Sequence, residues 1–420
     1  MLMNRRTILF ITLLFALLHP WSTACADPIL FLSTQLTPVP EATMMRQVIL
    51  KDFPQSVDFE PYDDRAVYEA RVLHIIASPS GTVVLGGLQQ DFLGLYRAGA
   101  LTSVDRMRSK LADRSFIPRF SGGGVFGADG TYFVPWMHAT YLMAANKRAL
   151  KYLPKGADLE QLNYDQLQEW AANMYRAAGK GKLGFPVGPK GLMVRFLQGY
   201  LYPSFTGSMT NGFASPAALI MWQYLRDLWE YVDQSSLILN RMDKVLLNGD
   251  VWVAWDHSAR LLAAFKEQPN EFVAFPAPIG PRGRGVISVL AGLGLPKGSS
   301  SAAAEELIEY LTRPAVQAQT MDSVGFQPVV EVSNSAEISK GLAALMQATT
   351  KQLSSPEAIF STMPRQTTEV ERSFNLAYMV AFSQIVLRGM STHMVLETQE
   401  RYLNQTVSKD RPAVSEITGH

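Results

Sequence analysis

The 420-residue sequence holds a single cysteine, Cys25. A disulfide framework and a cysteine-rich zinc or iron–sulfur site are therefore excluded. Charge is scarce as well: charged residues make up 18%, and 38 basic residues face 37 acidic ones, a net charge of +1. Without a basic excess to neutralise phosphates, a general nucleic-acid-binding role is excluded. Long apolar runs are missing. Residues 8–18 (ILFITLLFALL) and 376–387 (LAYMVAFSQIVL) both fall short of the about 20 residues that a bilayer-spanning helix needs. There is no HExxH pair, no GxSxG elbow and no P-loop. After residue 26 the histidines are His74, His138, His257, His393 and His420, no two at metal-ligand spacing. The glycine-rich stretch at Ser121, Gly122, Gly123, Gly124 and Gly127 lacks the Lys-Ser/Thr of a phosphate cradle and reads as a loop. Asp58, Glu60, Asp63 and Asp64 read as a solvated strand face followed by a helix cap. A glycosidase would need two carboxylates opposed across a cleft. Nothing in the sequence forms a catalytic constellation, and no internal repeat or low-complexity segment occurs.

Apolar residues, by contrast, reach 47% and aromatics 10%, enough for large cores and too many for a disordered chain. The length suits two or three domains, or two interleaved lobes. Residues 1–26 read as an export signal: Arg5 and Arg6, the apolar run 8–18, a break at His19-Pro20, and Ala24-Cys25-Ala26 as a small-x-small cleavage site. Ordinary export is the primary reading. Lipid attachment at Cys25 is the alternative, with Ser22 where a lipoprotein box usually has Leu, and Asn4 to Thr7 faintly resembles a twin-arginine signal. Loss of Arg5 and Arg6 leaves 36 basic residues against 37 acidic ones, a charge of −1, and a chain without cysteine.

Along the remaining chain, strand and helix patterns alternate. Residues 29–32 form an apolar run before Ser33-Thr34-Gln35, and a helical pattern follows Pro38 and Pro40. Residues 56–60 alternate as a half-buried strand, 65–76 read as helix, 82–85 as strand and 90–98 as helix. This order predicts an α/β fold with a mostly parallel sheet. Residues 131–135 and 251–255 (VWVAW) read as strands, and 286–295 alternates apolar residues with Gly292 and Gly294. Asn163 and Gln166 form a capping box. Ser215-Pro216 opens a helix whose 3.6-residue stripe includes Trp222 and Trp229, read as core. Residues 301–311 and 314–324 read as consecutive helices, and 338–405 as almost wholly helical.

Several segments in this order match a known family. They are ILFLSTQ at 29–35, Leu50-Lys51-Asp52-Phe53-Pro54, FLGLYRAGALTSV at 92–104 and FVPWMHATYLMAAN at 133–146 with Lys147. YDQLQEWAA at 164–172, GDVWVA at 249–254, FPAPIG at 275–280, AGLGLPKG at 291–298 and Gly325-Phe326-Gln327-Pro328 continue the series. The chain resembles the extracellular solute-binding proteins of ABC importers, in the carbohydrate-binding group that includes maltose-binding protein. The likeness spans nearly the whole chain after residue 26. It departs at Gly81-Thr82-Val83-Val84, where the family often has Pro-Asp before its third strand.

The resemblance implies a two-lobed periplasmic-binding-protein-like fold of type II, with discontinuous lobes joined by a hinge. Crossings are expected near 137–140, 276–286 and 313–314. Lobe one then comprises 27–138 plus 285–313, and lobe two 139–284 plus 314–420. Ligands of open α/β sheets lie beyond the carboxyl ends of the strands, which places Gln35, Gln90 and Asp91 on the cleft. Trp136 is either a stacking platform for a sugar or lobe core. The family's contacts after VWVAW imply Trp255, Asp256, His257 and Arg260, with capping as the alternative for Asp256 and Arg260. Tyr200, Tyr202 and Phe374-Asn375 are further candidates, and Trp252 reads as buried. The resemblance implies a monomeric receptor with no catalysis, cofactor or metal. It would bind a sugar or oligosaccharide by hinge closure and pass it to membrane permease subunits on the outer side of the cytoplasmic membrane. A glycerol phosphodiester, met by Arg260, Arg282 and Arg284, is the alternative ligand. A secreted glycoside hydrolase using Asp91 and Asp256, and a surface-assembly protein with a filled cleft, are the alternative functions.

Overall fold

The computed structural model describes residues 27–79, 81–126, 130–209, 212–299, 301–332, 339–361 and 368–410. Residues 1–26, read as an export signal and including Cys25, lie outside them, as do Gly127 and His420. The chain opens with β1 (Ile29–Ser33), α1 (Val39–Met44), β2 (Val57–Pro61), α2 (Arg65–Ala77), β3 (Val83–Leu88), α3 (Gln89–Arg97), β4 (Leu101–Thr102) and β5 (Val134–Ala139). It continues with β6 (Tyr141–Asn146), α4 (Tyr164–Ala178), β7 (Leu183–Gly184), α5 (Pro216–Trp229), β8 (Val253–His257), α6 (Ser258–Glu267) and β9 (Phe272–Phe275). Then come β10 (Arg284–Val286), β11 (Val289–Pro296), α7 (Ala302–Leu311), α8 (Pro314–Val324), β12 (Gln327–Pro328), α9 (Lys340–Leu353), β13 (Ala358–Phe360), α10 (Thr368–Ala381) and α11 (Thr392–Asp410).

Two larger sheets organise these elements, and β10 and β13 form a separate parallel pair. The first runs β12-β5-β11-β3-β1-β2, with β4 paired to β11. Its β1 is parallel to β2 and β3, and β11 is antiparallel to β3 and β5. Strand alternation serves both faces: Ile29 and Phe31 enter one core, Leu32 the other. Gly292 is required where β11 bulges beside β5, because a Cβ there would stand 2.1 Å from the Phe133 ring. The second sheet runs β7-β8-β6-β9. Tyr141, Met143 and Ala145 of β6 face a large core that holds Trp170, Trp222 and Trp229, while Leu142 and Ala144 face a smaller one.

Three boundaries differ from the sequence reading. The strand expected at 131–135 begins at Val134, and that expected at 251–255 begins at Val253, so Asp256 and His257 are strand residues. Antiparallel pairing with Tyr141 and Leu142 of β6 extends the strand that far. The crossing expected at 313–314 also moves. Pro314 only begins a helix, where its missing N–H costs nothing. Val316, Val324 and Phe326 join the first sheet's core, and β12 pairs with β5. Residues 314–331 thus stay beside the first sheet, where Val329 O accepts from Ile117 N and Glu331 N donates to Ser115 O, both at 2.8 Å.

A buried hydrogen-bond knot fastens the crossings. Thr140, alone between β5 and β6, has its hydroxyl 3.1 Å from the Tyr200 hydroxyl and donates to Ile287 O at 2.8 Å. Ile287 lies between β10 and β11, in the second crossing. Gln352 of α9 donates to Thr140 Oγ1 and Tyr141 O, both at 2.7 Å, and accepts from Ala277 N at 2.8 Å. Gln327 of β12 donates to Thr349 Oγ1 of α9 at 2.6 Å, tying in the third crossing.

Replacing Gln352 by leucine would leave the Ala277 N–H without its acceptor and remove the donor to Tyr141 O. Since each unpaired buried group costs about 1–3 kcal/mol, Gln352→Leu is expected to lower unfolding free energy by about 2–4 kcal/mol in urea titrations. An unchanged midpoint would show that the knot is not a stabilising element.

Candidate functional site between the lobes

The parallel strands β1, β2 and β3 end on the same edge of the first sheet, at Ser33, Pro61 and Leu88. At the end of β1, Leu36 has φ 57, the one positive-φ non-glycine residue among those described. A leucine in this region is strained by roughly 1–3 kcal/mol. Its burial, and the bond from Gln35 N to Ser33 Oγ at 2.9 Å, hold the loop in place. Gln35 Nε2 donates to Thr34 Oγ1 at 3.1 Å, and Thr34 Oγ1 donates to Asp91 Oδ2 at 2.7 Å. Asp91 Oδ2 also accepts from Leu88 N at 2.8 Å, capping α3. Arg65, at the start of α2, sits 3.3 Å from Asp91 Oδ1 and 3.0 Å from Glu69, and donates to Gln90 O. Burial pushes the Asp91 carboxyl up; the Thr34 hydroxyl, Arg65 and the Leu88 N–H oppose that shift.

Lobe two faces this edge with α10 and the segment 190–198. Glu371 of α10 is 3.8 Å from Arg195 and, across the lobes, 3.9 Å from Arg65. Gln198 Nε2 donates to Asn375 Oδ1 at 2.6 Å. Lys190 meets Asp63 at 3.6 Å, a second pair between lobes. Burial raises the Glu41 carboxyl of α1, and Arg241 and Arg260 of lobe two draw it down, so opposite charges face each other here too. Arg260 donates to Asn240 O at 2.6 Å, and Arg241 pairs with Asp243 at 3.2 Å.

At the base, Asp256 is fully buried, and its oxygens accept from Met242 N at 2.8 Å and His257 N at 2.7 Å. Burial lifts its pKa to about 6, against the pull of Arg260, the two N–H groups and Arg241. His257 caps α6 by accepting from Ala259 N at 3.3 Å, and its ring lies 5.4 Å from that of Phe326 in lobe one. Burial, with Arg260 and Arg241 adding to it, lowers its pKa to about 3. Gly325 permits the close approach of the lobes here, having φ 77 and room for no Cβ, which would stand 2.8 Å from Ala259 Cα.

Of the residues singled out from sequence, Gln35, Gln90 and Asp91 lie on the lobe-one edge, and Arg260 and Asn375 on the lobe-two side. Asp256 and His257 lie beneath, engaged with backbone. Three aromatics are corrected. Trp136 is fully buried with its ring 5.6 Å from Phe31, inside the lobe-one core. Trp255 pairs with Met143 of β6, which turns it inward to stack on Tyr141 at 5.0 Å. Tyr202 packs between Phe213 and Tyr378 and donates to Gly212 O at 3.0 Å. Tyr200 belongs to the hinge knot. Arg65, Arg195, Gln198 and Glu371 were not foreseen; they lie in ordinary helical patterns, and only tertiary packing gathers them.

The sequence profile of a family described as bacterial extracellular solute-binding protein matches residues 51–347. Among curated protein sequences no significant match is found. Solved structures share the fold. UgpB from Mycobacterium tuberculosis, in complex with glycerophosphocholine, is 18% identical with a TM-score of 0.70, covering 91% of this chain and 99% of that one. A chitin oligosaccharide binding protein is 14% identical with a TM-score of 0.70, covering 90% and 99%. Maltose-bound MalE3 from T. maritima is 16% identical with a TM-score of 0.68, covering 90% and 99%. The architecture is the two-lobed periplasmic-binding-protein-like fold.

Acid sensitivity follows from the buried histidines. His138 is also held at about 3, by burial and by Arg119. Between about 6.5 and 3 the unfolded chain binds two protons that the folded chain refuses at these sites, so stability falls as pH drops through that window. Asp256, raised to about 6, works oppositely between about 6 and 3.8. Near pH 5 these three groups leave a net uptake of about one proton on unfolding, or about 1.4 kcal/mol per pH unit. His257→Asn, which keeps a capping acceptor, is expected to remove about one proton from that uptake. Urea midpoints measured from pH 7 to 4.5 check this; an unaltered slope would refute it.

Proposed function

The chain belongs to the bacterial extracellular solute-binding protein family, and from that membership we propose that it is the sugar-capturing receptor of an ABC importer. The observation that carries the choice of a neutral ligand is the state of the cations. Arg65 is engaged by Asp91 and Glu69, Arg195 by Glu371, Arg241 by Asp243 and Arg260 by a backbone carbonyl. Amides and hydroxyls of Thr34, Gln35, Gln90 and Asn375 complement these pairs, and such groups bond sugar hydroxyls as donor and acceptor. Of the three solved structures named above, one holds maltose and another is a chitin oligosaccharide binding protein.

A glycerol phosphodiester is the second reading, because UgpB holds glycerophosphocholine. Of the three arginines considered for it, Arg284 is buried against Glu160 O and Arg282 is exposed, leaving Arg260. Neither Asp91 nor Asp256 supports the hydrolase reading, since both carboxylates are committed to backbone N–H groups. The receptor acts as a monomer without changing its ligand. It is exported by the segment 1–26, released by cleavage or held by a lipid on Cys25. Among the described residues no helix is long and apolar enough to cross a membrane. Ligand contacting both lobes would shift them toward the closed form, since only differential affinity moves such an equilibrium. The closed receptor then delivers sugar to the permease subunits.

Thermal unfolding with maltose, N,N′-diacetylchitobiose or glycerophosphocholine tests the reading. A sugar in hundredfold excess over its Kd is expected to add about 2.7 kcal/mol of stability and raise the midpoint. A rise with glycerophosphocholine alone would overturn the sugar assignment.

A further inference from the structure

Glu371 and Asn375 stand one helical turn apart on α10, so their side chains share a face. Behind Asn375 lies Gln198, fully buried in the π-helical turn Leu197–Leu201. Its Nε2 donates to Asn375 Oδ1 at 2.6 Å, whereas its Oε1, though buried, has no donor. Buried acceptors are nearly always paired, and with Oε1 left enclosed and open the bond to Asn375 is the side-chain hydrogen bond that holds Gln198. The same bond sets the orientation of Asn375: with Oδ1 engaged, its Nδ2 is turned to donate elsewhere. Glu371 is held differently. Arg195 at 3.8 Å and Arg65 at 3.9 Å fix its charge from beyond hydrogen-bond distance, leaving its oxygens able to accept. A donor and an acceptor therefore project side by side from α10, at the junction with lobe one.

We propose that Asn375 and Glu371 form a subsite that reads a vicinal diol, with Gln198 as the positioning residue. Asn375 Nδ2 donates to one hydroxyl oxygen and the neighbouring hydroxyl donates to Glu371, while Gln198 Nε2, engaged with Asn375 Oδ1, holds that amide in register. Arg65 makes the subsite complete only when the lobes are together, because it anchors Glu371 from lobe one. The inference rests on the receptor reading above but not on the ligand being a sugar. A sugar ring and the glycerol end of a glycerophosphodiester both present adjacent hydroxyls.

Isothermal titration of the exported chain with maltose, N,N′-diacetylchitobiose and glycerophosphocholine, each beside an analogue lacking one hydroxyl, tests both levels. For whichever probe binds, N375D and E371Q are expected to weaken binding at least tenfold while the unliganded unfolding midpoint stays in place. Q198L is expected to bring the affinity ratio between the probe and its deoxy analogue toward one, which a purely structural role would not do. Variants that bind a sugar within twofold of the parent would overturn the subsite and leave the receptor reading standing. Binding of glycerophosphocholine alone would overturn the sugar reading, and the same variants on that probe would then decide the subsite. Binding of none of the three would overturn both.

Discussion

The knot of Thr140, Tyr200 and Gln352 sets the constraint on which the arrangement of the lobes depends. Two sheets joined by crossing segments have no continuous hydrogen-bond ladder to fix their relation. Here the hydroxyl of the one residue separating β5 from β6 meets a tyrosine of lobe two and a carbonyl of the returning crossing. Gln352 donates to the Thr140 hydroxyl and to Tyr141 O and offers an acceptor for Ala277 N. Each partner except the half-buried Ile287 is buried, so bonds lost inside the knot leave buried groups unpaired. Such a network is satisfied in few geometries, and its directionality brings the carboxyl ends of β1, β2 and β3 opposite α10.

Charge operates above that base in a weaker way. Lobe one offers Glu41, Asp63 and Asp91 to the site, and lobe two offers Lys190, Arg195, Arg241 and Arg260. The pairs that cross are long and partly solvated: Lys190 and Asp63 are 3.6 Å apart with side chains 82% and 66% exposed. Exposed ion pairs contribute about 0–1 kcal/mol each, so they guide the lobes toward each other without locking them. A ligand of ordinary affinity can outweigh them. Arg65 differs because Asp91 and Glu69 hold it from its own lobe, and its reach to Glu371 needs no additional ordering of its side chain.

Much of the framework was legible in the sequence because it is written in local chemistry. The alternation of strand and helix patterns and the Asn163–Gln166 capping box act through near neighbours. Orientation was less legible. Trp255 and Asp256 lie on opposite faces of β8, and only the register with Met143 and Leu142 of β6 tells which face is core. Trp136 turns inward because Phe31 and the chain covering β5 leave it an apolar slot. Pro314 looked like a boundary, yet proline begins a helix as readily as it ends one, and the decision came from β12 pairing with β5. Glu371 was invisible for a related reason: an acid in an amphipathic helix carries no mark of the arginines that will meet it.

The inward turn of these aromatics bears on recognition. A ring buried in a core cannot offer its face to a sugar, and stacking is tolerant of which hydroxyls a ligand carries. With Trp136, Trp255 and Tyr202 used for packing, discrimination at the described edge falls to hydrogen bonds from Thr34, Gln35, Gln90, Asn375 and the charged pairs around them. Sites built on such bonds reject analogues strongly, because a missing hydroxyl leaves a buried polar group unpaired, whereas an apolar wall penalises a changed shape far less. The packing that stabilises the two cores therefore also pushes selectivity onto a small set of fixed polar side chains. The rigidity of the knot beneath them keeps those side chains in register with one another.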